Sequence, residues 1–97
     1  MYLEIITPEA VLFSSEIDSV LVPGICGEFQ MLKNHAPIVS VLKKGTIKIH
    51  VHTQEHLELD EWSGSLIPHI EDDKILTLAI NSGILELKEN KTIILVD

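Results

Sequence analysis

The chain has 97 residues, one domain (residues 1–97) near the lower limit of what a single hydrophobic core sustains. Apolar residues make up 45% and aromatics only 4%, so the core is expected to be aliphatic, with Phe13, Phe29 and Trp62 as isolated large pieces. A net charge of −8 without a single arginine argues against a nucleic-acid partner and removes the usual bidentate clamp for phosphate, and the apolar runs are too short to span a bilayer.

In chain order, residues 2–7 read as a first strand stopped by Thr7-Pro8-Glu9, and residues 11–14 and 17–22 as two more. The start, Met1-Tyr2-Leu3-Glu4, lacks the basic stretch of a signal peptide. Next comes Val22-Pro23-Gly24-Ile25-Cys26-Gly27-Glu28-Phe29-Gln30-Met31-Leu32-Lys33-Asn34-His35-Ala36-Pro37-Ile38, where glycine and proline fix a loop path. No nucleophile, base and orienter converge there, so the loop is expected to be a surface for docking. Cys26 cannot form an internal disulfide, which fits a reducing compartment. Pro37 limits residues 35–42 to at most a short turn of helix.

Residues 46–52 alternate cleanly, with Ile47, Ile49 and Val51 opposite Lys48, His50 and His52, the signature of a half-buried antiparallel strand. Residues 57–62 form another candidate strand, and residues 74–80 repeat the alternation with Leu76, Leu78 and Ile80 on one face. Leu85 and Leu87 oppose Glu86 and Lys88, and Glu89-Asn90-Lys91 then separates them from Thr92-Ile93-Ile94-Leu95-Val96 in a hairpin. Short strands at close spacing give an all-β sandwich or barrel. The chain leaves its last strand at Val96-Asp97, so no C-terminal helix is expected.

Catalytic chemistry finds little support. Asp60 and Glu61 point to opposite faces of a strand, Glu71-Asp72-Asp73 reads as a turn, and Ser63-Gly64-Ser65 has no partnered histidine. His50 and His52 share a strand face and could hold a metal together. With Gly45, Glu58 and Gly64 they approach the first signature of cupins, although several gaps are wrong and Pro68-His69 does not supply the second half. A small cupin-like metal enzyme using His50, His52 and Glu58 is therefore the alternative reading; a solvated polar strand face is the plainer one.

Taken as an ordered set, Leu3-Glu4-Ile5-Ile6-Thr7-Pro8-Glu9, Leu12-Phe13-Ser14, Ile17-Asp18-Ser19-Val20, Val22-Pro23-Gly24, Gly27-Glu28-Phe29, Asn34-His35-Ala36-Pro37-Ile38 and Leu42-Lys43-Lys44-Gly45 resemble the N-terminal β-sandwich of the epsilon subunit of F-type ATP synthase. Ser82-Gly83-Ile84-Leu85-Glu86-Leu87-Lys88 with residues 91–97 resembles that family's closing hairpin. The resemblance implies a flattened antiparallel sandwich of two five-stranded sheets. It also implies a non-catalytic rotor subunit without a cofactor, joining the gamma subunit to the polar loops of the c-ring in a proton-translocating synthase. Such a subunit sits peripherally on the cytoplasmic face of the bacterial plasma membrane, without inserting, and is a monomer when isolated. Position by position, Glu28 falls where the family meets the c-ring, and Thr7 and His35 fall where it faces gamma.

The chain departs from the pattern in three places. Gln30 stands where the family commonly has Gly, and Lys33-Asn34 where it has Pro-Gly. Extra sequence lies between Leu57 and Lys74. No helical hairpin follows the last strand, so inhibition and ATP binding by that hairpin are not expected here.

Overall fold

A computed structural model describes residues 1–51, 67–68 and 75–97. The described residues form ten strands: β1 Tyr2–Ile6, β2 Val11–Glu16, β3 Ser19–Gly24, β4 Gly27–Leu32, β5 Ile38–Leu42, β6 Gly45–His50, β7 Ile67–Pro68, β8 Ile75–Ile80, β9 Gly83–Lys88 and β10 Lys91–Val96. They pair along one path, β2-β1-β10-β9-β5-β3-β6-β8-β7, with β4 on the other side of β3. One link in this path is thin: β5 and β3 share a single residue pair, Gly24 with Leu42. That single pair joins two halves of five strands, sheet I (β2-β1-β10-β9-β5) and sheet II (β4-β3-β6-β8-β7), into one continuous ten-stranded path where the resemblance implies two separate sheets.

Alternation explains the two layers. Leu3 and Ile5, Leu85 and Leu87, and Ile94 and Val96 are the inward residues of sheet I; Val20 and Val22, Ile47 and Ile49, and Leu76, Leu78 and Ile80 are those of sheet II. All belong to one buried cluster that includes Phe13 and Met31, and Phe29 packs against it. Each side chain fully removed from water contributes about 1.5–3 kcal/mol, so this shared aliphatic layer is what holds the sheets face to face. A register shift between Ile5 and Ile6 turns consecutive residues Leu12 and Phe13 of β2 inward while leaving Val11 outside.

Several expectations need correction. The sandwich is not antiparallel throughout, because β1 runs parallel to β10 from Tyr2 with Lys91 to Ile6 with Leu95. Parallel neighbours need a long connection, and here nearly the whole domain serves as one. The glycine- and proline-rich run is not one loop. It contains β4, which pairs with β3 from Ser19 with Leu32 to Gly24 with Gly27 across a tight turn at Ile25-Cys26. Phe29 and Met31 point inward from β4 with Glu28, Gln30 and Leu32 outward, an alternation that the surrounding glycines and prolines obscure in the sequence. Residues 38–42 are likewise a strand and not a turn of helix, in keeping with β-branched Ile38, Val39 and Val41.

The β9–β10 hairpin closes through Glu89 and Asn90, both left-handed (φ 52° and 64°), as a two-residue turn matching the twist of its strands requires. The strand expected at 57–62, with Trp62, and most of the extra sequence lie outside the described residues.

Candidate partner interface

Thr7 ends β1 and organises the turn into β2. Its Oγ1 accepts from the backbone N–H of Ala10 (3.0 Å) and Glu9 (3.3 Å), while its own N–H donates to the Ala10 carbonyl at 2.8 Å. The side chain is half-buried, and its hydroxyl is engaged within the turn.

Glu28 lies on β4 opposite Pro23, one step from the β3–β4 tip. Its side chain is exposed and has no ion-pair partner among the described residues, so the carboxylate is available to an incoming cation. Gly24 makes this tip compact: a Cβ there would stand 2.7 Å from the Phe29 ring and 2.9 Å from the Gly27 carbonyl oxygen. Gly27, at φ 133°, is the one glycine of the tip with positive φ.

His35 lies in the connection from β4 to β5, where the chain crosses from sheet II to sheet I. Its backbone N–H closes a turn onto the Leu32 carbonyl at 3.1 Å. Its Nδ1 lies 2.7 Å from the Ala36 carbonyl, to which it donates, so Nε2 is the ring atom left for a partner. Asn34 takes the left-handed conformation at φ 66°. Asparagine tolerates that region better than most residues, so the turn forms with Lys33-Asn34 where the family commonly has Pro-Gly.

Strand register shows how these residues relate. One end of the domain carries the exits of β1, β5 and β10, the entry of β9 and the β3–β4 tip, hence both Thr7 and Glu28. His35 lies at the other end, beside the entry of β5 and the β9–β10 turn. Thr7, at the β1–β2 edge, and His35, at the β5 edge, thus occupy diagonally opposite corners of sheet I.

Between those corners the outer face of sheet I is ordered in rows. Val41, Ile84, Leu95, Ile6 and Val11 are successive cross-strand partners, one on each of the five strands. Val41, Ile84, Leu95 and Val11 are each about half exposed (50–52%). The next row reads Val39, Glu86, Ile93, Glu4 and Ser14, with Val39 70% exposed, and a third reads Lys88, Lys91, Tyr2 and Glu16. The face grades from apolar near Thr7 to charged near His35. Ile25, exposed at the β3–β4 tip, extends the apolar row: its N–H bonds the Val41 carbonyl at 3.3 Å, and it lines a shallow apolar hollow with Phe29, Val39 and Val41. A contiguous exposed apolar strip rimmed by polar residues is the hallmark of a protein-binding surface.

The resemblance in sequence singles out Thr7, Glu28 and His35 as candidates but not this strip. Its signal is visible in the unbroken apolar run 93–96 and in the adjacent pairs Ile38-Val39 and Val41-Leu42, where apolar residues must line both faces of a strand.

His50 ends β6 and is half-buried, paired across strands with Ser19 and Ile75. His52 and Glu58, the other members of the cupin-like trio, lie outside the described residues. No cluster of three metal-ligating side chains occurs among the described residues.

Comparison with known proteins gives the family. Residues 1–60 match the family model for the ATP synthase delta/epsilon chain β-sandwich domain, a span that takes in His50, His52 and Glu58 and replaces the cupin reading. The chain is 37% identical over 95 residues to the ATP synthase epsilon chain of Chlorobaculum tepidum, covering 98% of this chain and 86% of that one. It is 34% identical over 95 residues to the epsilon chain of Desulforamulus reducens (98% and 57%). It is 35% identical over 97 residues to that of Campylobacter curvus (100% and 60%). The chain thus spans somewhat under two thirds of the length of the latter two relatives. In fold, it matches a chain of the Tetrahymena thermophila mitochondrial ATP synthase central stalk and c-ring, with a TM-score of 0.71, 14% identity, and coverage of 98% of this chain and 61% of that one. Motif order, sandwich topology and these matches agree: the chain belongs to the delta/epsilon β-sandwich family of ATP synthase.

Proposed function

We propose that this chain is a non-catalytic subunit of the rotor of a bacterial, proton-translocating F-type ATP synthase. It holds the gamma subunit against the c-ring, on the cytoplasmic face of the plasma membrane, so that ion-driven rotation is coupled to ATP synthesis. The observation that carries the reading is the apolar row across the outer face of sheet I, in a chain of this family. Thr7 and His35 bracket that face at opposite corners, which supports a gamma contact across it. Burying the remaining exposed half of each of its large residues would contribute roughly 1 kcal/mol apiece, several kcal/mol in all.

Glu28 and the β3–β4 tip point the c-ring contact to the end of the domain that also carries Thr7. An exposed carboxylate against a basic loop contributes about 0–1 kcal/mol, so it would set register and association rate more than affinity. Adhesion would then reside in the apolar face, and alignment in the tip.

Co-expression with the gamma subunit of the same organism, followed by size-exclusion chromatography, tests this. The expected result is a one-to-one complex, with the isolated chain running as a monomer. Absence of a complex at micromolar concentration would overturn the proposal.

A further inference from the structure

Two asparagines far apart in sequence clasp each other at the end of the domain that carries His35. The backbone N–H of Asn34 donates to Oδ1 of Asn90 at 3.0 Å, and Nδ2 of Asn90 donates to Oδ1 of Asn34 at 3.3 Å, across 56 positions of chain. Both residues are left-handed, at φ 66° and 64°. The Asn90 carbonyl also accepts the Tyr2 N–H at 2.9 Å, anchoring the β9–β10 turn to β1. Asn90 therefore belongs to the framework of sheet I, whereas Asn34 belongs to the segment that crosses between the sheets. Leu32 to Pro37 is exposed throughout, so packing does little to fix its pose; besides the chain's own entry into β5, this clasp ties it to sheet I among the described residues.

We infer that Asn90 is a positioning residue for the docking surface: through Asn34 it fixes the His35 loop at the corner of sheet I where the partner seats. The inference rests on the proposed gamma contact. Its chemistry requires a side-chain oxygen at position 90 to accept the Asn34 N–H. A carboxylate in place of Asn90 keeps the acceptor for the Asn34 N–H and tolerates the left-handed turn, whereas glycine keeps the turn and removes the clasp.

Asn90→Gly and Asn90→Asp in the full chain separate the loop from the fold. Each is followed by amide hydrogen exchange and by titration with the cognate gamma subunit. Asn90→Gly is expected to speed exchange at Asn34 by about threefold to tenfold, the range set by one ordinary hydrogen bond, and to leave the β3–β4 pairing unchanged. It should weaken gamma binding by a similar factor, and Asn90→Asp should restore most of both. Unchanged exchange at Asn34 in Asn90→Gly would overturn the clasp. Faster exchange with unchanged gamma affinity would overturn the positioning role. A wild-type chain that fails to bind gamma while Asn34 still responds would instead remove the proposed function, and the positioning role with it.

Discussion

The two outer faces of this sandwich are built from the same kind of strand but end up chemically unlike. On sheet II the outward face mixes polar with apolar residues among the described positions: Glu28, Gln30 and Leu32 of β4, Leu21 and Pro23 of β3, Thr46 and Lys48 of β6, and Ile75, Thr77 and Ala79 of β8. Gln30 there donates to Oγ of the buried Ser19 at 3.2 Å, so that hydroxyl has a polar partner. On sheet I the equivalent positions form an unbroken apolar row over five strands. Both sheets already share one core, so the second apolar face is not needed for folding. A small acidic domain that keeps such a face exposed uses it to hold something.

The sharpest test of that contrast sets adjacent residues of β9 against each other. Leu85 is fully buried, and Leu85→Ala is expected to cost about 2–5 kcal/mol in chemical denaturation. Ile84, its neighbour on the outer face, should tolerate Ile84→Asp with a stability change of about 0.5–1 kcal/mol at most, while the gamma complex is lost. Equal destabilisation by both would mean that the outer face is part of the fold and not a docking surface. Gly24→Ala should cost about 1–3 kcal/mol in thermal unfolding, because the new methyl meets Phe29 and the Gly27 carbonyl at the seam joining the sheets. Thr7→Ala removes an acceptor shared by two backbone N–H groups and should cost roughly 0.5–1.5 kcal/mol, measured in the same way. Smallest of all, Thr46→Asp on sheet II should change stability by about 0.5 kcal/mol or less and leave gamma binding untouched. Glu28→Lys should likewise leave stability alone but slow assembly onto the c-ring, and an unchanged association rate would remove Glu28 from that contact.

The sequence made the sandwich legible because β1, β6, β8 and β9 each carry large apolar residues at every second position. It hid β4, since Gly24, Gly27 and Pro23 crowd a hairpin tip and read as loop, and it hid β5 behind Pro37. The parallel pairing of β1 with β10 has no local signal at all, because register between distant segments is set by tertiary packing. The site divides in the same way. Glu28, His35 and Thr7 came from motif resemblance, whereas the apolar row emerges only when five strands are laid side by side. Asn90 looked like turn punctuation until its carboxamide met Asn34.

The place of β10 carries a consequence for how the chain is made. It is the last strand in sequence but the middle strand of sheet I, flanked by β1 and β9. Sheet I therefore cannot assemble progressively behind the ribosome; β1 and β2 must wait, without their central neighbour, until residues 91–96 have emerged. The β3–β4 hairpin, closed by a tight turn, needs no such delay. Domains dominated by pairings between distant segments fold slowly, over roughly milliseconds to seconds. Nascent chains halted before Lys91 are thus expected to display an unpaired β1 edge, in which state the aliphatic layer meant for the core is open to the wrong strands.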